Sequence, residues 1–303
     1  MNTQTKNSLL LLLCSFIWGT AFVAQSAGSG MGAYSFLAGR SWLAVLVLIP
    51  TVFAFDAVRK KQGQPYGWPK EKSERKTLLA AGLVCGTLLF AASAAQQIGI
   101  TINPSTAKAG FLTALYVVLV PVCGLFFKRK VNLPTWIAVV LSVVALYLLC
   151  IKGSFTLAPG DLLILVCAVC FAVHILVIDH FTATVDGVKL SCLQFLFAGI
   201  ISSVCMFLFE DVDFAAIWGC ILPLLYVGIF SCGVGYTLQI LAQKGSNPTV
   251  VTILLSLESV FAVIAGAIIL KQQMSVREYI GCAVMFAAVI LAQIQFPVKK
   301  KAE

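Results

Sequence analysis

Two charged residues stand where charge is costly. Glu258 is the only acid between Asp213 and Glu278, and Arg40 is the only base between Lys6 and Arg59. Both lie inside long apolar runs, Arg40 in residues 33–55 and Glu258 in residues 249–270. In a helix rising about 1.5 Å per residue, Glu258 is roughly 14 Å deep, near the middle of a bilayer. A charge at that depth costs several kcal/mol, so each of the two is a functional hypothesis by default. For Glu258 two readings stand open: a proton-coupling carboxyl or cation site, and a structural carboxyl hydrogen-bonded to a neighbouring helix. For Arg40 the readings are contact with a substrate carboxylate, pairing with Glu258, and anchoring of its helix through a backbone carbonyl.

Uncharged polar residues accompany them. Gln239 and Gln243 are four apart and share a helix face. Gln96 and Gln97 play a similar part ahead of the fourth apolar run. Such amides either join helices, at about 0.6–2 kcal/mol each, or face a cavity. His174 is either hydrogen-bonded structure or a proton relay. Lys108 is near the mouth of its run, where its stem can snorkel, and is a candidate for the cavity. Trp18, Tyr116, Tyr147 and Tyr236 are deep enough to offer aromatic walls, although aromatics at helical spacing also serve plain packing. The eleven cysteines fall almost entirely within apolar runs, where Cys acts as a small apolar residue. Cys167 and Cys170 form a CxxC without a second pair, and a zinc site needs four ligands. No metal and no cofactor are expected.

The elements that must position these residues follow from composition. Of 303 residues, 60% are hydrophobic and 11% charged, against roughly 25% charged in a soluble domain. Apolar residues gather in blocks of about 20, each long enough to cross the hydrocarbon layer as a helix. This excludes a soluble enzyme, a disulfide scaffold and a disordered chain. It also excludes a membrane β-barrel, whose strands alternate in segments of about ten. Ten helices are predicted, over residues 8–25, 33–55, 77–100, 106–127, 133–151, 160–179, 188–209, 216–239, 249–270 and 276–295. The fold class is therefore an all-α polytopic membrane protein. The net charge of +9 belongs to short loops, so it reads as a topology signal and not as a nucleic-acid surface. Sixteen of the 21 Lys and Arg fall on the side of the N-terminus, four on the other, and Arg40 within a span. That excess puts both termini in the cytoplasm of a cell-membrane protein.

The chain is also written twice. Phe111 to Lys128 and Leu254 to Lys271 are both apolar helices ending in Lys, each preceded by Asn-Pro, at 103–104 and 247–248. Trp136 and Tyr279 fall at the same offset of 143, and Trp18–Phe22 aligns with Phe171–Ile175 at 153. Arg40 then falls opposite Gln194, and Glu258 opposite Leu115. Residues 1–152 and 158–298 are read as two five-helix repeats, followed by a basic tail, 299–303. Because five is odd, the second repeat enters the membrane from the opposite side, a pattern of secondary transporters.

Several stretches carry a family resemblance. They are Trp18-Gly-Thr-Ala-Phe-Val, Phe36-Leu-Ala-Gly-Arg40, Gln97 followed by Lys108-Ala-Gly-Phe-Leu-Thr, Tyr236-Thr-Leu-Gln-Ile-Leu-Ala-Gln243 and Leu255-Ser-Leu-Glu-Ser-Val-Phe-Ala262. Together they resemble the drug/metabolite transporter superfamily in its ten-helix EamA branch. Ser259 stands where that family's pattern usually has Pro; the pattern also has Glu at the position of Glu258. The resemblance implies an antiporter or exporter with a central cavity open to one side at a time, moving amino acids, other metabolites or drug-like compounds.

The leading functional reading is a secondary active transporter of a small organic solute, with protons as a candidate coupling ion, working in the bilayer as a monomer or homodimer. The cavity candidates are Trp18, Arg40, Gln97, Lys108, Tyr116, His174, Gln194, Tyr236 and Gln239, and the coupling candidate is Glu258. No Walker A loop is present, so ATP is not the expected driver. An intramembrane enzyme would need a Ser/His, paired-Asp or HExxH centre, and neither His174 nor His180 has that setting. A channel would usually surround its pore with a ring of subunits. A receptor role is a further alternative.

Overall fold

The structure, a computed structural model, describes residues 3–102, 106–126, 131–151, 157–269 and 273–293. It contains ten apolar helical spans: α1 (Thr3–Ala27), α2 (Ala33–Lys61), α3 (Lys72–Ile102), α4 (Lys108–Phe126), α5 (Leu133–Cys150), α6 (Pro159–Thr182), α7 (Gly187–Phe209), α8 (Ile221–Gln243), α9 (Pro248–Ala265) and α10 (Val276–Gln293). Among the described residues there is no strand. The predicted spans are all present, and several have different limits: α1 begins at Thr3 and α2 runs on to Lys61. α3 begins five residues earlier, because Lys72 to Lys76 continue the helix into water. α8 starts later, because Asp213 caps a separate helix, Phe214–Gly219, by accepting from Ala215 N at 2.8 Å and Ala216 N at 3.2 Å. Asn103, Pro104, Lys128 to Lys130, Lys152, Lys271 and the tail 299–303 lie outside the described residues.

Packing is set by small residues. α1 lies against α8 and α9, α6 against α3 and α4, α2 against α7 and α8, α3 against α7, and α5 against α10. A Cβ on Gly19 would sit 2.5 Å from the Glu258 carbonyl oxygen, and one on Gly86 would sit 2.7 Å from the Gln194 carbonyl oxygen. One on Gly228 would sit 2.6 Å from Leu43 Cβ. Such close approach is how helices associate where lipid removes the hydrophobic drive. Large apolar side chains point outward instead, with Phe53 69% and Phe207 73% exposed, as a lipid-facing surface requires. Gly19→Ala is expected to lower thermal stability in detergent by several degrees, since overpacking against backbone costs about 1–3 kcal/mol. Gly30→Ala meets nothing within 4 Å and is expected to leave the melting temperature unchanged; equal melting of the two would refute the argument.

α2 and α7 are fastened to each other at both ends. Glu210, just past α7, accepts from Tyr34 N and Ser35 N, both at 2.8 Å, and from Ser35 Oγ at 2.7 Å. It thereby satisfies the open N–H groups at the start of α2. Gly32, at φ 88°, leaves room for that carboxylate. At the other end Lys189 donates to Asp56 at 2.8 Å and Arg59 pairs with Asp186.

Three spans are irregular at mid-depth. α4 breaks between Thr106–Ala114 and Tyr116–Phe126, and α9 between Pro248–Leu255 and Leu257–Ile269. Ser259 replaces the family's usual Pro, yet the break in α9 is present. It coincides with Ser256, whose hydroxyl donates back to Thr252 O at 2.8 Å, a contact that bends helices. In α8, Tyr226–Gly235 is a π-helix, a widened form frequent at functional sites. All three irregularities surround the same space.

Candidate functional site

That space is a central cavity with about 50 Å³ of room for the centres of water molecules, enough for a few waters. Trp18, Arg40, Tyr116, Tyr236, Gln239 and Glu258 all line it. These six come from α1, α2, α4, α8 and α9, so sequence positions 18 to 258 converge on one site. The interruptions of α4 and α9 put Tyr116 and Glu258 side by side, and the Tyr116 hydroxyl donates to Glu258 Oε1 at 3.0 Å. The Glu258 side chain is 3% exposed.

Arg40 is also buried, and among the described residues no carboxylate pairs with it. Its Nη1 donates to Gln25 Oε1 at 3.3 Å, and its guanidinium lies 5.9 Å from the centre of the Phe36 ring. The expected alternative of an Arg40–Glu258 ion pair is not formed; the two share a cavity without touching. A guanidinium carries five donors, and one amide leaves most of them available. Gln239 complements it: its Oε1 is buried without a hydrogen-bond partner. The walls are aromatic. Trp18 donates Nε1–H to Ser231 O at 3.2 Å, and its ring lies 4.7 Å from that of Tyr236. The π-helical turns of α8 bring that carbonyl to Trp18, and Gly235 leaves space for the indole.

Other candidates lie beside the cavity and not on its wall. His174 and Gln194 are buried together, Nε2 to Oε1 at 3.1 Å. Gln97 donates to Gln25 O at 3.4 Å and so supports the loop end of α1 behind Arg40. Gln243 joins helices, donating to Ile175 O at 3.0 Å. Lys108 is ion-paired with Asp161 at the start of α6, which draws it away from the cavity. Tyr147 is no cavity wall either: it is 42% exposed, with the Arg277 guanidinium 4.8 Å from its ring centre. Sequence reasoning missed Gln25, Phe22, Thr113, Phe171 and Ser231, which also line the site. One signal was available: Trp18, Ala21, Phe22 and Gln25 follow the i, i+3, i+4, i+7 spacing of a single helix face. Thr113 accepts from Gln96 at 3.1 Å, a pairing of α3 with α4 that no spacing reveals.

The EamA-like transporter family model matches residues 5–151 and, a second time, residues 158–293. An uncharacterized transporter of Archaeoglobus fulgidus is 27% identical over 292 residues, covering 94% of this chain and 85% of that protein. A solved crystal structure shares the fold with a TM-score of 0.76 at 17% sequence identity, over 95% of this chain and 96% of the other.

Proposed function

This chain belongs to the EamA-like transporter family and is a multi-pass membrane transporter; from that premise we propose that it exports a small organic solute carrying an anionic group, by alternating access coupled to protons. One observation carries the reading: among the described residues, a buried guanidinium without a carboxylate partner and a buried amide oxygen without a donor line the same cavity. A carboxylate on Arg40 and an N–H or O–H on Gln239 would satisfy both, and the aromatic walls suit an apolar remainder. Amino acids and carboxylated drug-like compounds have that chemistry.

Alternating access rests on reading residues 1–152 and 158–298 as inverted repeats. Three features support it. Raising each helix number by five, or lowering it by five, turns the α1–α9 contact into α6–α4 and α2–α8 into α7–α3, both of which exist. Gly86 approaches the Gln194 carbonyl and Phe197 Cβ just as Gly228 approaches the Arg40 carbonyl and Leu43 Cβ, so Arg40 and Gln194 occupy matching places. The family model also matches twice.

The two ends of the bundle differ. Where α4 finishes and α9 begins, a cleft with about 350 Å³ of water-accessible space is lined by Val120, Leu176 and Asn247. Val120 is one turn beyond Tyr116, and Leu176 adjoins Ile175 of the cavity wall. At the opposite end Lys108–Asp161 ties α4 to α6. The cleft lies on the lysine-rich side, which we assign to the cytoplasm, and this opening supports the reading of loading from within. Single cysteines at Ser73 and Asp213, in a background cleared of native Cys, test the sidedness: Asp213→Cys should react with an impermeant reagent on intact cells and Ser73→Cys should not. The function itself is tested by the full chain in proteoliposomes, offered labelled amino acids, other carboxylates and drug-like cations, with and without a pH gradient. Movement of carboxylates driven by the gradient is expected; movement of none of them would overturn the reading.

A further inference from the structure

We propose that the α2–α3 connection is a docking surface for anionic phospholipid headgroups, built from Lys60, Lys61, Lys70 and Lys72 around Tyr66 and Trp68. This stands apart from transport and from the identity of the solute.

The structure separates the engaged charges from the available ones. Arg59 pairs with Asp186 and Lys189 with Asp56, so those two bases already hold α2 to α7. Arg75 donates to Pro69 O at 2.7 Å and Lys70 O at 3.0 Å, which engages it in fixing the turn. Gly63 and Gly67, at φ 67° and 78°, make the reversals that the turn needs. What remains is a shaped loop whose exposed lysines have no carboxylate partner among the described residues. Lys60 Nζ lies 5.7 Å from the centre of the Tyr66 ring. Glu71 and Glu74 are the only acids between Asp56 and Asp161, so positive charge prevails.

The aromatics favour a lipid over an acidic protein as the occupant. Tyr66 is 53% and Trp68 47% exposed, and such rings settle at the headgroup level of a bilayer. The exposed Phe53, Phe55 and Val58 on the last turns of α2 lead from the hydrocarbon-facing wall directly into this loop. An occupant that touches both must combine acyl chains with an anionic head. The opposite face of the membrane lacks such a patch among the described residues: Lys108 is ion-paired and Arg277 is stacked on Tyr147.

The test uses the full-length protein in detergent, titrated with phosphatidylglycerol and separately with phosphatidylcholine of the same chains, with bound lipids counted by native mass spectrometry. Phosphatidylglycerol is expected to bind more tightly, and each of Lys60→Gln, Lys61→Gln, Lys70→Gln and Lys72→Gln to weaken it by about fivefold at most, the effect of one lysine near an anionic surface. Trp68→Ser is expected to weaken both lipids, and Lys244→Gln neither. A fourfold Lys variant that keeps the wild-type preference overturns the proposal. So does an acidic peptide, oligoglutamate, that binds the wild type while phosphatidylglycerol shows no preference. All substitutions are on exposed side chains, and an unchanged gel-filtration profile confirms that the variants stay folded.

Discussion

Arg40→Ala is expected to reduce carboxylate transport to the level of empty vesicles, and Arg40→Lys to raise the half-saturating concentration by about tenfold. A charge-assisted hydrogen bond contributes about 1.5–3 kcal/mol, and a guanidinium fork makes two of them to one carboxylate. Lysine keeps the charge but offers a single pivoting head, so it loses the second contact and the planar fit. The alanine variant removes both. Stability is expected to move far less, because among the described residues Arg40 makes one side-chain hydrogen bond, to Gln25, and no ion pair. Measuring melting temperature beside transport separates the two roles. Full transport by Arg40→Ala in membranes would eliminate any direct contact with solute.

Glu258→Gln is expected to abolish accumulation against a gradient while leaving exchange of labelled for unlabelled solute within a few-fold of wild type. The carboxyl is buried and accepts from one neutral donor, Tyr116, and among the described residues no cation touches it. A carboxylate there costs about 2.5–3.5 kcal/mol by insertion scales. It must therefore carry a proton, gain a cationic partner from the solute, or meet water when the cavity opens. Linking those states to which side is open makes proton movement and solute movement one cycle, provided that each state has its own free energy. A gradient of one pH unit supplies about 1.4 kcal/mol per proton, or roughly tenfold accumulation, and the glutamine variant should equilibrate at unity. Glutamine preserves shape and can still accept the Tyr116 hydrogen bond, so loss of coupling would not reflect collapse of α9. Undiminished accumulation with an unchanged pH profile would make Glu258 structural.

The helical class, the ten spans and the membrane setting were legible in the residues themselves. Blocks of about 20 apolar residues have no other stable arrangement in lipid, where every backbone group must be satisfied within its own helix. The costly charges were legible for the same reason: Arg40 and Glu258 stand out because the bilayer penalises them whatever surrounds them. What lies around each was decided by tertiary contact alone. Whether Arg40 paired with Glu258 depended on a distance across α2 and α9, which neither helix encodes, and the two remain apart. Lys108 looked like a cavity residue until Asp161 of α6 claimed it. Tyr116 and Tyr147 are both aromatics within apolar runs, but α4 turns Tyr116 to Glu258, while α5 presents Tyr147, near its end, to Arg277. Gln25 lies two residues from the end of α1, and only the fold brings its amide to Arg40. Periodicity tells which residues share a face, and the glycines at 19, 86 and 228 mark where faces can meet. Which face meets which is chosen by the packing of ten helices at once.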